Sequence, residues 1–264
     1  MSDAHVLRRF LLRWPATYRD RGIRSHEEAR TILSQEQVLA VVPIRPGNPA
    51  ATLTIGGRSV MDGTIRALRA VPTIGPIVLA LEGVDAASCL SAIERPEDLN
   101  LALTATRVNR WQAIEAALDL THRSDIILLH DPDRPLVSAA GIMDLLAQSQ
   151  PYEATLTAMP VHGTIKRVEA GRIVGTVKRE SLHVSQTPWV FRREVLARAL
   201  RQAIDEQWAP VNDLQLARAA GVQVHLADGY GYNVPITSRA DARFAEMAVG
   251  GRRVPFAGPL TVST

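Results

Sequence analysis

Residues 125–137 read Asp-Ile-Ile-Leu-Leu-His-Asp-Pro-Asp-Arg-Pro-Leu-Val, and this stretch decides the fold. The apolar run at 126–129 has the composition of a buried parallel strand, and it ends abruptly in a charged cluster between two prolines. In open α/β sheets, ligands bind just past the carboxyl ends of the strands. We therefore interpret residues 130–134 as a candidate ligand site at the end of a central strand.

The charged cluster combines two carboxylates, Asp131 and Asp133, with the guanidinium of Arg134. Carboxylate oxygens suit a hard cation, and arginine binds phosphate through paired hydrogen bonds, so the cluster predicts a metal–phosphate site. The alternative is that Asp131 and Asp133 only brace a turn at a capped strand end. The local sequence leaves both interpretations open.

The composition narrows the class of protein. The chain has 264 residues, is 46% hydrophobic and carries a formal net charge of +3, which suffices for one large domain and does not indicate a general nucleic-acid surface. Its only lysines are Lys166 and Lys178, so any chemistry that needs a lysine must use one of these two. The single cysteine, Cys89, excludes an intrachain disulfide and a multi-cysteine metal site.

The sequence also indicates no membrane segment. No apolar run approaches the length of a bilayer span. Residues 5–14 form a basic amphipathic segment, but they lack the long apolar stretch and the small-residue cleavage site of a secretory signal. A transit peptide and a membrane-surface helix are the alternatives, and we prefer a helix that packs on its own domain. We therefore expect a cytoplasmic protein without a membrane partner.

The first half of the chain alternates between strand and helix patterns. In the expected helix at 110–120, Trp111, Ile114 and Leu118 share one face. Alternation at this spacing predicts an α/β fold with an open, mostly parallel sheet and helices on both faces. Strands are expected at 38–42, 77–81, 99–103 and 126–130, and the other helices at 61–70, 84–93 and 138–148.

The pattern changes in the second half. Residues 162–184 are rich in β-forming residues, threonine and charge, and they predict a protruding β-hairpin arm. We divide the chain into a helical extension at 1–36, an α/β domain at 37–249 and a loose tail at 250–264. The extension is expected to hold helices near 4–14 and 26–34. In the rest of the domain, strands are expected at 154–161 and 222–226, and helices at 191–204, 213–220 and 239–247.

Five short segments occur in a specific order along the α/β domain. They read His-Asp-Pro-Asp-Arg-Pro-Leu-Val (130–137), Thr-Ile-Lys-Arg-Val (164–168), Thr-Val-Lys-Arg (176–179), Gln-Thr-Pro-Trp-Val-Phe (186–191) and Asn-Val-Pro-Ile-Thr (233–237). Over roughly residues 37–248, this order resembles the 2-C-methyl-D-erythritol 4-phosphate cytidylyltransferase family of the isoprenoid pathway. The usual family strings are H-D-A-A-R-P, T-I-K-R, T-x-x-R, Q-T-P-Q-x-F and D-N-I-K-x-T.

The resemblance implies a fold and a reaction. The fold would be Rossmann-like, of the nucleotide-diphospho-sugar transferase type. In the reaction, an oxygen of methylerythritol phosphate attacks the α-phosphorus of CTP and releases pyrophosphate. Such a transfer depends on cations, backbone N–H groups and a metal around the triphosphate, so Mg²⁺ is the cofactor expected of an active member.

The resemblance also implies roles for individual residues. The family arm reaches across a two-fold dimer, so we expect a homodimer in which Thr164 and Arg179 serve the neighbouring pocket. The alternative is that the arm residues only pair strands, brace the arm and support dimer packing. The implied assignments are Asp131 and Arg134 as catalytic, Thr164, Arg179 and Thr187 as binding the sugar-alcohol phosphate, and Arg110 as binding the nucleotide. From the residues themselves we add Arg45 as a nucleotide-binding candidate and Asp131 with Asp133 as metal ligands.

The sequence departs from the family pattern on the nucleotide side. The family has a glycine-rich A-A-G-x-G-x-R loop ending in P-K, but residues 44–52 here read Ile-Arg-Pro-Gly-Asn-Pro-Ala-Ala-Thr. This loop has one glycine and no lysine, and Pro46 and Pro49 remove backbone donors. Residues 106–113 keep Arg110 of the G-G-x-x-R-x-x-S segment but not its glycine pair or serine. At 232–235, Tyr-Asn-Val-Pro lacks the family aspartate and lysine.

The sequence and the resemblance leave three hypotheses for the function of the chain. The loss of the nucleotide side with retention of the arm favours, by a small margin, an impaired or inactive family member that acts as a dimeric binding or partner protein. The second hypothesis is an active enzyme using CTP and methylerythritol phosphate, or a related nucleotide and sugar phosphate. The third and most remote hypothesis is a metal-dependent glycosyltransferase, with Asp131-Pro-Asp133 as its Asp-x-Asp motif. Asp133 replaces a family alanine, and its charge would repel phosphates unless a metal is bound.

Overall fold

The structure, a computed structural model, describes residues 38–94, 96, 101–104, 109–121, 124–208, 210 and 212–250. The predicted helical extension at 1–36 and the predicted tail beyond residue 250 lie outside the described residues. The predicted α/β domain is therefore the part of the chain to which the structure applies.

A seven-stranded sheet forms the centre of the domain, with the strand order β11-β7-β10-β6-β1-β4-β5. Its strands pair in parallel except β10, which is antiparallel to both β6 and β7. This confirms the predicted open, mostly parallel sheet. The strands are β1 (Val38–Ile44), β4 (Ile74–Leu81), β5 (Leu101–Leu103), β6 (Ile126–Leu129), β7 (Ala154–Pro160), β10 (His183–Arg192) and β11 (Val224–Asp228).

Helices cover both faces of this sheet, as predicted. They are α1 (Val60–Arg69), α2 (Ala86–Ser91), α3 (Arg110–Asp119), α4 (Ala139–Ser149), α5 (Arg193–Asp205), α6 (Asp213–Ala219) and α7 (Arg239–Gly250). One hydrophobic core joins residues of α1, α2, α4 and α7 to the sheet, and a second joins α3, α5 and α6 to its other face. β1 alternates between the two cores, which explains why all seven of its residues are buried.

Polar side chains fix where several helices begin. Asn109, Ser138 and Asn212 precede α3, α4 and α6, and each accepts a hydrogen bond from a backbone N–H of the first turn. The predicted face of α3 is correct, since Trp111, Ile114 and Leu118 are all buried. Among the described residues, none of the helices combines the length and the hydropathy needed to cross a bilayer.

One helix prediction was wrong at its start. Phe191 was expected to begin the helix that ends near residue 204, but it belongs to β10 and pairs with Ile127 of β6. The reason is that the apolar residues of β10 run directly into the apolar face of α5, so the two periodicities merge at their junction. The helix begins at Arg193.

The arm is a two-stranded hairpin of β8 (Ile165–Glu169) and β9 (Arg172–Val177). Its tip consists of Ala170 and Gly171, which both have positive φ angles. Most of the arm is exposed, and the chain leaves it to enter β10. The predicted hairpin is therefore present. A second small hairpin, β2 (Thr54–Ile55) and β3 (Arg58–Ser59), precedes α1.

Candidate nucleotidyltransferase site

The charged cluster lies where the sequence predicted it, at the carboxyl end of β6. The backbone N–H of His130 donates to the carbonyl of Val41 at 3.0 Å, so the cluster begins beside β1 in the middle of the sheet. Thr64 of α1 donates to the carbonyl of Pro132 at 2.8 Å, which attaches the turn to a helix. We call residues 130–134 the corner.

A buried hydrogen-bond chain holds the corner to β10. The Nε2 atom of His130 lies 3.1 Å from the carbonyl oxygen of Arg134, and Nδ1 lies 3.1 Å from the hydroxyl of Thr187. A carbonyl only accepts, so the neutral imidazole carries its proton on Nε2, and the Thr187 hydroxyl donates to Nδ1. The same hydroxyl accepts from the backbone N–H of Asp131 at 3.0 Å. Thr187, predicted to bind substrate, therefore also orients the backbone of Asp131.

His130 is held in its neutral form. The residue is fully buried, and this burial lowers the pKa of its imidazole to about 4. Asp131 and the hydrogen bond to Arg134 act against this shift but do not cancel it. The imidazole is thus a fixed structural link at neutral pH.

Arg134 connects Asp131 of the corner to the backbone of Asn233. Its Nε lies 3.3 Å from a carboxylate oxygen of Asp131, and its Nη1 donates to the carbonyl of Asn233 at 2.7 Å. The side chain of Arg134 is 12% exposed and that of Asp131 is 32% exposed. These two predicted catalytic residues are therefore adjacent, and Asp131 is the more accessible.

Asn233 closes the corner from the other side. It is fully buried, and its Nδ2 donates to the carbonyl of Thr187. Its Oδ1 is buried and has no hydrogen-bond partner among the described residues. Asn233 thus positions the guanidinium of Arg134 and the backbone of Thr187 together.

Asp133 faces the first loop of the domain. It is 8% exposed, and its Oδ2 lies 3.4 Å from Nδ2 of Asn48. Burial raises the pKa of the Asp133 carboxyl and the charge of Asp131 raises it further, whereas Arg134, Asn48 and Arg45 act in the opposite direction. The carboxylate is therefore held near a loop instead of standing open to solvent.

The loop after β1 forms a tight turn followed by a short 3-10 helix at Pro49–Ala51. Gly47 has a φ of +74°, a conformation that favours glycine at this turn. Asn48 caps the helix by accepting from the N–H of Ala50 at 2.9 Å. Arg45, predicted to bind nucleotide, is exposed on this loop.

Arg110, the other predicted nucleotide-binding residue, forms an ion pair with Asp213. Its Nη2 lies 2.9 Å from a carboxylate oxygen of Asp213, which joins the starts of α3 and α6. Burial lowers the pKa of Arg110, but Asp213, Asp131 and Glu82 outweigh that effect and the net shift is upward. Arg110 is therefore within electrostatic range of the corner while its guanidinium holds two helices together.

Thr164 and Arg179 lie at the base of the arm, and both are exposed. Arg179 donates to the carbonyl of His162. This contact braces the base of the arm. Their predicted role in a neighbouring pocket stays a prediction.

The sequence model of IspD, 2-C-methyl-D-erythritol 4-phosphate cytidylyltransferase, matches residues 42–250. The chain belongs to this family.

Two curated family members illustrate the extent of the likeness. A 2-C-methyl-D-erythritol 4-phosphate cytidylyltransferase from Symbiobacterium thermophilum is 32% identical over 203 residues, covering 76% of this chain and 85% of the relative. One of the same name from Acidobacterium capsulatum is 30% identical over 207 residues, covering 76% and 87%. The match therefore spans most of each cytidylyltransferase.

Solved structures of the cytidylyltransferase family share the fold. A 4-diphosphocytidyl-2C-methyl-D-erythritol synthase from Anaerococcus prevotii superposes with a TM-score of 0.71 at 21% identity, covering 81% of this chain and 99% of that one. The 2-C-methyl-D-erythritol 4-phosphate cytidylyltransferase from Thermus thermophilus has a TM-score of 0.67 at 26% identity, covering 79% and 96%. The predicted Rossmann-like nucleotidyltransferase fold is confirmed.

The corner of this cytidylyltransferase-family chain offers few ligands for the implied metal. Among the described residues, no group of three or more His, Cys, Asp or Glu side chains could hold an ion. Mg²⁺ commonly binds through one or two carboxylates together with substrate phosphates. The donor set fits a metal that would be held mainly by a bound nucleotide, with Asp131 as a protein ligand. The predicted ligand role of Asp133 stays a prediction. Such a metal would neutralise phosphate charge.

Sequence reasoning missed several residues that build the site. The sequence places His130 in the charged cluster and Asn48 in the shortened loop, but it does not indicate their hydrogen bonds to Thr187 and Asp133. Gln186 was quoted within a motif, but its amide holds both the N–H and the carbonyl of Tyr230, at 2.9 and 3.1 Å. A signal existed for Asn233, the one polar residue kept from the family string D-N-I-K.

Proposed function

We propose that this cytidylyltransferase-family protein keeps the acceptor-side corner but supports little or no CTP-dependent transfer. The observation that carries this proposal is the hydrogen bonding of the loop after β1. In that loop, backbone donors that a triphosphate would need are directed to partners within the loop itself.

Four backbone N–H groups of residues 48–53 have acceptors within the loop that follows β1. The N–H of Asn48 donates to the carbonyl of Arg45 at 3.2 Å, and that of Ala50 donates to the Asn48 side chain. The N–H groups of Thr52 and Leu53 both donate to the carbonyl of Pro49, at 3.0 and 2.8 Å. Pro46 and Pro49 have no N–H at all. A phosphate could use these groups only by breaking the turn and the 3-10 helix.

The expected loss of rate is large. Phosphoryl transfer relies on preorganised charge stabilisation, and removing one such donor typically lowers kcat by about two to three orders of magnitude. The loop also contributes no lysine. Several losses together leave the corner as a binding site for a sugar-alcohol phosphate, with Asp131 as its exposed carboxylate.

The second candidate is an active nucleotidyltransferase. It is favoured by the intact pair of Asp131 and Arg134 at 3.3 Å and by the electrostatic reach of Arg110 to the same corner. In that case Arg134 would orient the acceptor phosphate, and Asp131 would hold the metal–nucleotide complex in line with it.

Calorimetric titration with CTP and Mg²⁺, together with a pyrophosphate-release assay containing methylerythritol phosphate, separates the two candidates. We expect no micromolar binding of CTP and no pyrophosphate release above background. The T. thermophilus family member serves as the positive control for the assay.

The active candidate predicts the opposite pattern. Micromolar CTP binding that Asp131→Ala abolishes, with measurable pyrophosphate release, would overturn our proposal. Asp205→Ala, at an exposed position in α5, is the matched control for removing a carboxylate elsewhere. Unchanged thermal melting of both variants ensures that lost binding reports on the site.

We further propose that the protein is a cytoplasmic homodimer that associates through the arm. Val168 and Ile173 pair across the arm and expose 56% and 69% of their surface, and Val174 exposes 51%; exposed apolar side chains of this kind favour an interface. Sedimentation is expected to give a dimer, and replacing residues 165–177 by a short Gly-Ser linker should give monomers or aggregate. A monomeric full-length protein would contradict the proposal.

A further inference from the structure

Asp133 is the one corner carboxylate that turns towards the nucleotide-side loop. Its Oδ2 lies 3.4 Å from the amide of Asn48, and the residue is 8% exposed. Asp131, by contrast, pairs with Arg134 and is accessible to solvent. The two aspartates of the corner therefore face different surroundings.

The groups around Asp133 are those that suit a phosphate. Asn48 offers an amide N–H, and Arg45 and Arg134 act on the Asp133 carboxylate as opposite charges. Hydrogen-bond donors and guanidinium groups of this kind bind phosphate oxygens well. Here the Asn48 amide already lies beside a carboxylate that belongs to the protein, and the charges of Arg45 and Arg134 act on that same carboxylate.

The backbone prevents Asp133 from moving aside easily. Its own carbonyl accepts from the N–H of Ile236 at 2.8 Å, and the preceding carbonyl, of Pro132, accepts from Thr64. Gly63 of α1 packs closely, since a Cβ at that position would lie 3.0 Å from Pro135. The backbone of the turn is thus held on both sides, which keeps Asp133 beside the loop that carries Asn48.

We propose that Asp133 is a built-in anion that lies against the Asn48 amide of the loop and thereby excludes nucleotide phosphates from this side of the site. This inference deepens the proposed function, on which it rests, by naming the side chain that blocks the nucleotide. A phosphate approaching Asp133 meets a like charge on a buried side chain, where repulsion is stronger than in water.

The test compares wild type with Asp133→Asn, which keeps the shape of the side chain and removes its charge. The probes are metal-free CTP and inorganic pyrophosphate, each titrated calorimetrically at low salt. We expect Asp133→Asn to bind both at least about tenfold more tightly, which corresponds to about 1.4 kcal/mol. The gain should shrink as salt rises, because screening weakens the repulsion that was removed.

Asp205→Asn is the matched control, and it should leave both affinities unchanged. Asp133→Ala is a second variant, and its affinity should also rise. Equal or weaker binding by both Asp133 variants, including no detectable binding in any of them, would overturn the inference. Loss of Mg²⁺-dependent CTP binding in Asp133→Asn would overturn it too, because the carboxylate would then be a metal ligand.

The two proposals can fail separately. If wild type releases pyrophosphate, the proposed loss of transfer is wrong, whatever the ratio of affinities. If wild type is inactive and Asp133→Asn binds no more tightly, the proposed function stands and the role of Asp133 is wrong.

Discussion

On acidification from pH 6.5 to about 4, the protein is expected to lose about 3 kcal/mol of its free energy of unfolding through His130 alone. In the unfolded chain the imidazole takes up a proton near its ordinary pKa. In the folded protein its pKa is lowered to about 4 because the ring is buried. Between these two values the unfolded state binds more protons, so stability falls as the pH falls. Above pH 6.5 the contribution is fully present.

The hydrogen bonds explain why the charged form is disfavoured in the corner. A second proton would have to sit on Nδ1, where the Thr187 hydroxyl now donates. The hydrogen of that hydroxyl would then have to turn away from the ring, while its oxygen accepted from both Nδ1 and the N–H of Asp131. Protonation of His130 would therefore place a charge on a buried ring and break the hydrogen bond that Thr187 of β10 donates to the corner.

The measurement is urea unfolding at several pH values for wild type and His130→Gln. Glutamine has an amide donor and acceptor but does not titrate, so the slope of stability against pH should be smaller in this variant. His183→Gln, at an exposed position, should behave like wild type. Asp133 contributes with the opposite sign, since its raised pKa adds stability as the pH falls, and the difference between variants removes that contribution. Equal slopes in wild type and His130→Gln would refute the prediction.

Gly229→Ala is expected to destabilise the protein by about 2–3 kcal/mol. A Cβ at this position would lie 2.6 Å from Oε1 of Gln186, 2.9 Å from Cγ of Met159 and 3.0 Å from the backbone carbon of Ala158. The backbone carbon of Ala158 and Oε1 of Gln186 cannot shift easily to make room for the added Cβ. The backbone carbon belongs to the sheet, and Oε1 of Gln186 holds the N–H of Tyr230 at 2.9 Å.

Gly231→Ala is the matched control two residues further on. A Cβ there meets nothing within 4 Å, so the change should stay within about 0.5 kcal/mol of wild type. Denaturant unfolding of the two variants measures the difference. A loss of stability at Gly231 as large as that at Gly229 would show that the effect arises from the backbone of this turn rather than from the close approach to β7 and β10.

The sequence predicted the sheet where apolar runs were long and bounded by turn residues. β6 and β1 are such runs, and they were found within two residues of their observed ends. The position of β10 could not be predicted in this way. Its place between β6 and β7 depends on pairing with strands far away along the chain, and the apolar residues at its end, such as Phe191, also fit a helix.

For the site, the sequence predicted the corner and its chemistry but not its partners. Asp131 and Arg134 are three residues apart, so their pairing is local. The contact of Asp133 with Asn48 spans 85 residues, and that of Arg134 with Asn233 spans 99. Such contacts follow from the packing of loops after different strands, which no local pattern specifies.

The continuity of β10 restricts how this chain can change in length. One strand, His183–Arg192, whose pairing with β7 shifts register between Gln186 and Trp189, connects the base of the arm to Thr187 and then to the core. Inserting or deleting a residue between His183 and Thr187 would reverse the faces of the strand or displace the Thr187 hydroxyl from His130. At the exposed tip, Ala170–Gly171, the same event would only lengthen or shorten a turn. Gaps in alignments of related sequences are therefore expected at the tip, and the spacing between His183 and Thr187 should stay constant.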